Sequence, residues 1–302
     1  MLDLRRLRLL RELARRETIA EVAKVVGYTP SAVSQSLAQL EREAGIALLE
    51  RDGRRVRLTP AAHRLVARTE RALAELDAAE AELAAEQGTV RGDVVIGAFP
   101  TAAAGLVIPA IRDVGARHAE LRCVVREHEP EDGIGLLRSG ELDLLVSESY
   151  DDVEPAATGG LERHLLMTEP LLLVLPAGHR AREPVPLAGL SDAAWIGGLP
   201  GTQFAAVLER ACRAAGFVPR VVHRADDAAL HRSLAGAGLG IGLLPELACG
   251  GPEPVRFARV DPPPHRHVWA LVRRGAARRP ALAATLDALA DRCGVQACGT
   301  GD

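Results

Sequence analysis

TIAEVAKVVGYTPSAVSQSLAQLEREAGIALLERDGRRVRLTP, residues 18–60, sets two capped helices and a basic hairpin end to end without slack. Thr18 with Glu21 three residues on forms a capping box, and Ile19, Val22, Ala23 and Val26 recur at helical spacing, so a first helix starts here with one buried face. Gly27 can take the left-handed conformation that stops it. Thr29 is an N-cap and Pro30 occupies the first helical position, where a missing N–H is no loss; Val33, Leu37 and Leu40 then mark the inner face of a second helix. Its other face carries Ser31, Ser34, Gln35 and Gln39, polar groups that both donate and accept hydrogen bonds, as base edges in a major groove require. Either side of Asp52-Gly53, residues 48–51 and 55–58 alternate with period two, and Arg51, Arg54, Arg55 and Arg57 load the resulting hairpin with cations suited to duplex phosphates. A Ser/Gln face alone is an ordinary solvated surface, and an Arg-rich hairpin alone an ordinary soluble edge. In this order, behind a helix over Leu4 to Arg16 whose Leu4, Leu7, Leu10 and Ala14 face inward, they predict a winged helix-turn-helix that binds double-stranded DNA.

Charge divides along the 302-residue chain in the same sense. Residues 1–71 hold 15 Lys+Arg against 9 Asp+Glu, whereas the remainder is acidic enough to bring the whole to a net −3. A basic front and an acidic rear suit a DNA module joined to a part that should not adhere to DNA. Lys24 is the sole lysine, so positive charge is carried by Arg. The opening MLDLRRLRLL mixes charged and apolar residues and lacks a cleavage site, and the apolar run Leu171 to Leu175 is far too short to span a bilayer; a cytoplasmic protein with no membrane segment is expected. Cys123, Cys212, Cys249, Cys293 and Cys298 show no zinc-like spacing and read as reduced thiols, and His265-Arg266-His267 reads as a polar strand edge rather than a metal clasp. No Ser/His/Asp order, P-loop or H-E-x-x-H is present, so neither an enzyme nor a cofactor is expected.

From Thr59-Pro60 to Gln87 there is neither Pro nor Gly, which predicts a single helix of about 40 Å. Val66, Leu73, Leu76 and Leu83 fall on heptad-like positions, so a dimerisation helix is expected, matching a near-palindromic operator. Gly88 and Gly92 break the pattern as a hinge. Beyond them strand and helix signals alternate: Val94 to Phe99, Ala104 to His118, Leu121 to Glu127, Asp132 to Ser139 and Asp143 to Ser147. A second series runs through Leu171 to Leu175, Ala194 to Gly197, Thr202 to Ala215, Arg220 to Arg224, Asp226 to Ala235 and Gly240 to Leu244. Two tandem α/β lobes built on parallel sheets follow, with the strand Val268 to Arg273 and the helix Pro280 to Cys293 crossing back to the first lobe.

The whole chain resembles the LysR-type transcriptional regulators. The match is strongest in residues 27–60 and is echoed by RGDVVIGAF (91–99), SGELDLLVSE (139–148), PLLLVLPAGH (170–179) and GAGLGIGLLPE (236–246). Gln35 stands where many members carry Arg, and Ala62-His63 where many carry Ala-Gly. The resemblance implies a homodimer or homotetramer and an effector domain of two lobes, like a periplasmic binding protein, with an inducer between them. Expected boundaries are 1–59 for the winged helix-turn-helix, 60–88 for the linker helix and 91–302 for the effector domain. Within the last, lobe I is expected at 91–162 and 267–302, and lobe II at 163–266.

Ligands of open α/β lobes bind at the carboxyl ends of strands, where loops feed helix N-termini. Pro100-Thr101-Ala102 in the first lobe and Gly201-Thr202-Gln203 in the second occupy such places, each with a hydroxyl at a positive helix end, a seat for an anionic small-molecule effector. Members of the family contact the inducer through these segments, through the strand end at Ser147-Glu148 and through the loop at Asp226-Asp227. Thr101 and Thr202 taken singly read equally well as plain helix caps, and the two acids as a third cap. Phe99, Trp195 and Phe204 are the aromatics available to line such a pocket. The expected function is a ligand-responsive transcriptional regulator, with RNA polymerase a further candidate partner. A redox-sensing regulator using a pair such as Cys212 and Cys249 is the alternative.

Overall fold

The computed structural model describes residues 2–16, 18–52, 55–86, 90–151, 160–180 and 182–294. It divides into two units, Met1–Gln87 and Gly88–Asp302.

In the first unit, α1 (Leu4–Arg16), α2 (Ile19–Val26) and α3 (Pro30–Ala44) follow the start and stop signals closely. Thr18 Oγ1 accepts from the Glu21 N–H and Thr29 Oγ1 from the Ala32 N–H, while Gly27 (φ 71°) and Gly45 (φ 66°) end their helices in the left-handed region that only glycine enters without strain. Leu10, Leu13, Val22, Val33, Leu37 and Leu40 interlock as the core. The strands β1 (Leu49–Asp52) and β2 (Arg55–Leu58) pair antiparallel with Asp52 opposite Arg55; Gly53 and Arg54 lie outside the described residues. Glu41 ties this wing to α3, because its Oε1 accepts from the N–H groups of Leu48 (2.8 Å) and Leu49 (2.9 Å).

The long helix α4 (Pro60–Glu86) follows. Its four expected seam residues do not act alike. Val66 packs against the core of its own unit and Leu73 is only 5 % exposed, whereas Leu76 and Leu83 are 45 % and 65 % exposed. The physical reason is that the opening turns of α4 lie on the three-helix core, so the apolar stripe changes partner along the helix; Val66 and Leu73 are corrected from seam to interior. Of the hinge glycines, Gly88 lies outside the described residues.

The second unit opens with β3 (Gly92–Ala98). The helix after it comprises α5 (Pro100–Ala102), a π-helical stretch (Ala103–Val107) and α6 (Ile108–Arg117). Then come β4 (Leu121–Glu127), α7 (Pro130–Ser139), β5 (Leu144–Tyr150) and the long β6 (Leu161–Pro176). The short β7 (Val185–Pro186), β8 (Ala194–Gly197), α8 (Gln203–Ala214), β9 (Arg220–Arg224), α9 (Ala228–Gly236) and β10 (Ile241–Pro245) build the second lobe with β11 (Val255–Ala258) and β12 (Val260–Asp261). Last are β13 (His265–Arg273) and α10 (Pro280–Arg292), whose Leu282 and Leu289 enter the lobe I core beside Ile96 and Val107.

The sheets are mixed rather than parallel. β3 pairs parallel with β4 and β5, and β8 with β9 and β10, but β13 runs antiparallel to β5 and β6, and β10 and β11 antiparallel to β6. β6 serves both lobes: residues 161–170 lie in the β13 ladder and 171–176 against β10 and β11. The lobe boundary therefore falls near residue 170 rather than between 162 and 163. Only the second half of β6 is a continuous apolar run; the first, LERHLLMTEP, buries only Leu161, Leu166 and Glu169, without a period of two, and carries little strand signal.

Candidate functional site

Two surfaces carry the candidate residues. On α3, Ser31, Ser34 and Gln35 are exposed on the face opposite Val33, Leu37 and Leu40, with Thr29 and Pro30 exposed at its start and Thr29 Oγ1 3.0 Å from Ser31 Oγ. Gln39 is different: its Oε1 accepts from Arg42 Nε (3.0 Å) and Nη2 (2.6 Å), and its Nε2 donates to Glu43 Oε1 (3.3 Å). Its amide is held by neighbours one turn on, so it positions the exposed Arg42 instead of presenting a free edge. Arg42 and the exposed Tyr28, which precedes Thr29, are additions that residue spacing did not single out. The side chains of Arg51 and Arg55, like the whole of Arg54, lie outside the described residues.

The second surface is a cleft of about 770 Å³ between the lobes of the second unit. From lobe I, the ends of β3, β4 and β5 and the starts of α5 and α7 supply Phe99, Pro100, Thr101, Glu127, Glu129, Glu131, Glu148 and Tyr150. From lobe II, the starts of α8 and α9 and the end of β10 supply Gly201, Thr202, Gln203, Phe204, Asp226, Asp227 and Pro245. Two expected residues are elsewhere. Ala102 is buried in the lobe I core, and Ser147, buried opposite Trp269 in the β5–β13 ladder, points away from the cleft because side chains alternate along a strand. Trp195 is likewise core.

Arg266, on β13, is one of two buried arginines lining the cleft, with Arg232, and was legible in sequence only as part of a polar edge. It lies directly opposite Tyr150 on β5 and Glu169 on β6. Its Nε (2.8 Å) and Nη2 (2.5 Å) donate to Glu169 Oε1, and its Nη1 donates to Glu148 Oε2 (3.0 Å) and Thr101 Oγ1 (3.2 Å). Phe99 stacks 5.1 Å from the guanidinium. Tyr150 donates to Glu148 Oε1 (2.9 Å), and the Leu247 N–H of lobe II donates to Glu169 Oε2 (2.7 Å). Burial pushes the Glu148 carboxyl up against the pull of Arg266, and pushes the Tyr150 phenol well up. Burial also works against the charge on Arg266, yet the surrounding Glu148, Tyr150 and Glu169 outweigh it and hold the guanidinium charged.

Of the two hydroxyls expected to seat an anion, Thr202 is engaged as both donor and acceptor, whereas Thr101 accepts a hydrogen bond and keeps its own O–H proton. Thr202 caps α8 by accepting from the Ala205 N–H (3.1 Å) and contacts Leu199 O (2.9 Å) and Asp226 Oδ1 (3.4 Å), while Thr101 accepts from Arg266. Asp227 caps α9 through the Leu230 N–H (2.7 Å). A further hydrogen bond joins the two lobes, from Gln203 Nε2 of lobe II to Glu131 Oε1 of lobe I at 3.2 Å, and among the described residues it leaves the buried Gln203 Oε1 without a partner. His265 Nδ1 and His267 Nε2 both bond to Asp151, each at 2.9 Å, and among the described residues no group of three His, Cys, Asp or Glu is placed to hold a metal.

Residues 4–63 match the family model described as "Bacterial regulatory helix-turn-helix protein, lysR family", and residues 87–294 match "LysR substrate binding domain". A "Probable hydrogen peroxide-inducible genes activator" of Streptomyces viridosporus is 32% identical over 268 residues, 85% of this chain and 84% of its own. The "Transcriptional dual regulator GltC" of Bacillus subtilis (strain 168) is 28% identical over 252 residues, 81% of each chain. Among solved structures, a full-length OxyR variant from Pseudomonas aeruginosa superimposes with a TM-score of 0.76 at 22% identity, covering 98% of this chain and 96% of that one. Full-length CbnR in complex with its target DNA superimposes at 0.56 and 20% identity, covering 97% and 100%. These two likenesses establish the fold.

Proposed function

The chain belongs to the LysR family of bacterial transcriptional regulators, and from that premise we propose that α3 reads operator DNA while a small molecule held between the two lobes sets operator binding or bending. The observation that carries this reading is the exposed Ser31, Ser34 and Gln35 on a helix capped at both ends, presented beside a hairpin wing in a chain that also contains a lobed cleft. Apolar residues fix the inner face of α3, so its outer face is rigidly aimed. A near-palindromic operator fits a homodimer or homotetramer of such readers, with RNA polymerase as the further partner at the promoter. That work belongs in the cytoplasm, and among the described residues no helix is long and apolar enough to cross a membrane. The relatives are regulators, which supports a role without catalysis.

Gln35→Ala tests the reading. A bidentate Gln–adenine contact discriminates by about 1–3 kcal/mol, so affinity for the footprinted operator should fall roughly 5- to 150-fold while affinity for random duplex stays within twofold. Fluorescence anisotropy on both duplexes at one fixed salt concentration measures this. Equal weakening on both would remove Gln35 from base recognition.

A relative named as a probable activator of hydrogen peroxide-inducible genes raises the redox alternative, and the thiols argue against it. Burial pushes the Cys212 and Cys249 thiols up to about 12 and Cys293 to about 11, and raises Cys123 as well. Cys298 lies outside the described residues. At pH 8 a thiol with a pKa of 12 is about one part in ten thousand thiolate, and the thiolate is the reactive form. Native alkylation with iodoacetamide, resolved by peptide mass spectrometry, should therefore leave Cys212 and Cys249 largely unmodified over the time that fully labels a free cysteine peptide, with or without prior peroxide. Rapid labelling of either that peroxide blocks would restore the redox reading.

A further inference from the structure

We propose that the effector of this cleft is an organic cation, a small molecule carrying two or more separated ammonium or guanidinium groups. The inference rests on the reading of the cleft as the effector site and reverses the charge that its helix N-termini suggest. Lobe I lines the cleft with Glu127, Glu129, Glu131 and Glu148, and lobe II with Asp226 and Asp227. Against them stand Arg232 and Arg266. Both are committed: Arg232 donates to Glu253 (2.8 Å) and to Ala248 O (2.7 Å), and Arg266 to Glu169, Glu148 and Thr101. Glu127 and Glu129 have no hydrogen bond or ion pair to any described side chain, and Glu131 has only the amide of Gln203. Apart from the Thr101 O–H, the unmet valences of these lining side chains are thus acceptors, including the buried Gln203 Oε1. A ligand that satisfies them must donate.

Three further features narrow the class. Burial raises the Glu129 carboxyl, and Glu148, Glu131, Asp226 and Glu127 raise it further, so charge crowds from both lobes onto one space. A cation placed there relieves that crowding, and one with two separated charges reaches carboxylates of both lobes at once. Tyr150 and Phe204, with ring centroids 6.5 Å apart, supply aromatic walls of the kind that attract ammonium and guanidinium groups. A bare divalent metal ion fits less well, because the carboxylates line the walls without converging on one point. An anion would meet six carboxylates and no uncommitted cation.

The test uses the full-length protein in 150 mM NaCl, with spermidine and agmatine as cationic probes and succinate as the anionic one, read by isothermal titration calorimetry and by thermal melting. Saturable 1:1 binding of an amine with a raised melting temperature is expected, with succinate silent. Glu127→Gln and Glu129→Gln should each weaken it about tenfold, the loss of one charge-assisted contact, and neither side chain bonds to a described residue of the fold, so both variants should remain folded. Amine affinity should fall as the pH is lowered into the carboxylate range. Amine binding that persists unchanged in the Glu127→Gln/Glu129→Gln variant overturns the proposal by placing the probe elsewhere on an acidic surface. Saturable succinate binding with the amines silent overturns the charge class and leaves the cleft as the effector site. Silence from every probe also overturns the cationic assignment, while the DNA reading of α3 stands or falls separately on Gln35→Ala.

Discussion

Arg266→Met should destabilise the second unit by about 3–5 kcal/mol, the loss expected when one partner of a buried ion pair is removed and the other is left behind. Arg266 is 2 % exposed and Glu169 1 % exposed, and water cannot replace the two hydrogen bonds between them. Glu148 would lose its guanidinium contact at the same time. The sign of the pH dependence follows. A carboxylate stranded in a dry site binds its proton more tightly when folded than when unfolded, so the variant should regain part of its stability as the pH falls from 7.5 toward 5. Urea unfolding of the full-length protein at both pH values measures this. The double change Arg266→Met/Glu169→Leu should be markedly less damaging than Arg266→Met alone, because an apolar pair of similar volume can replace an ion pair at little loss. A single-variant loss below about 1 kcal/mol, or a double variant worse than the sum of its parts, would show that the guanidinium is not what compensates Glu169.

The same residue shows where sequence reading stops. The two helices of the reader were legible because their start and stop signals are local: Thr18 with Glu21, Thr29 with Pro30, and Gly27 all act within one turn of the helix they bound, and the structure adds Gly45 as the stop of α3. The polar face of α3 was legible for the same reason, except that Gln39 is held by Arg42 and Glu43, an i, i+3 and i, i+4 competition that a face drawn on a helix does not reveal. Arg266 meets Glu169 across 97 residues of chain and Glu148 across 118, and only the antiparallel return of β13 between β5 and β6 brings them together. Nothing local marks Arg266 as different from a solvated strand arginine. The acidic cleft was half legible. REHEPED at residues 126–132 is a dense charge cluster at a strand-to-helix junction, but whether such acids face water or a ligand depends on the opposing lobe. Thr202 illustrates the reverse error: a hydroxyl at a helix start does suit an anion, and here it is consumed by its own cap.

Leu76→Glu is expected to dissociate the assembly. We propose that α4 pairs with α4 of a second copy, and the exposure pattern sharpens which residues do so. Val66 packs inside its own unit and Leu73 is already buried in a single chain, whereas Leu76 and Leu83, seven residues apart on one face of a helix about 40 Å long, are 45 % and 65 % exposed there. Two leucines one heptad apart suit a helical partner, and a second copy supplies the same pair across a two-fold axis. A glutamate at 76 removes that burial on both copies and places a carboxylate in an apolar seam. The loss should be about 3 kcal/mol or more, at least a hundredfold in Kd. Light scattering coupled to size exclusion at micromolar concentration should show the mass fall toward 32.0 kDa, the mass of one chain, while Leu76→Ile keeps the larger species. Binding to a single half-site should survive in the Glu variant and cooperative binding to the full operator should not, since the reader helices are untouched and only their pairing is lost. An unchanged mass for Leu76→Glu would reject this seam and move the assembly contact to the second unit.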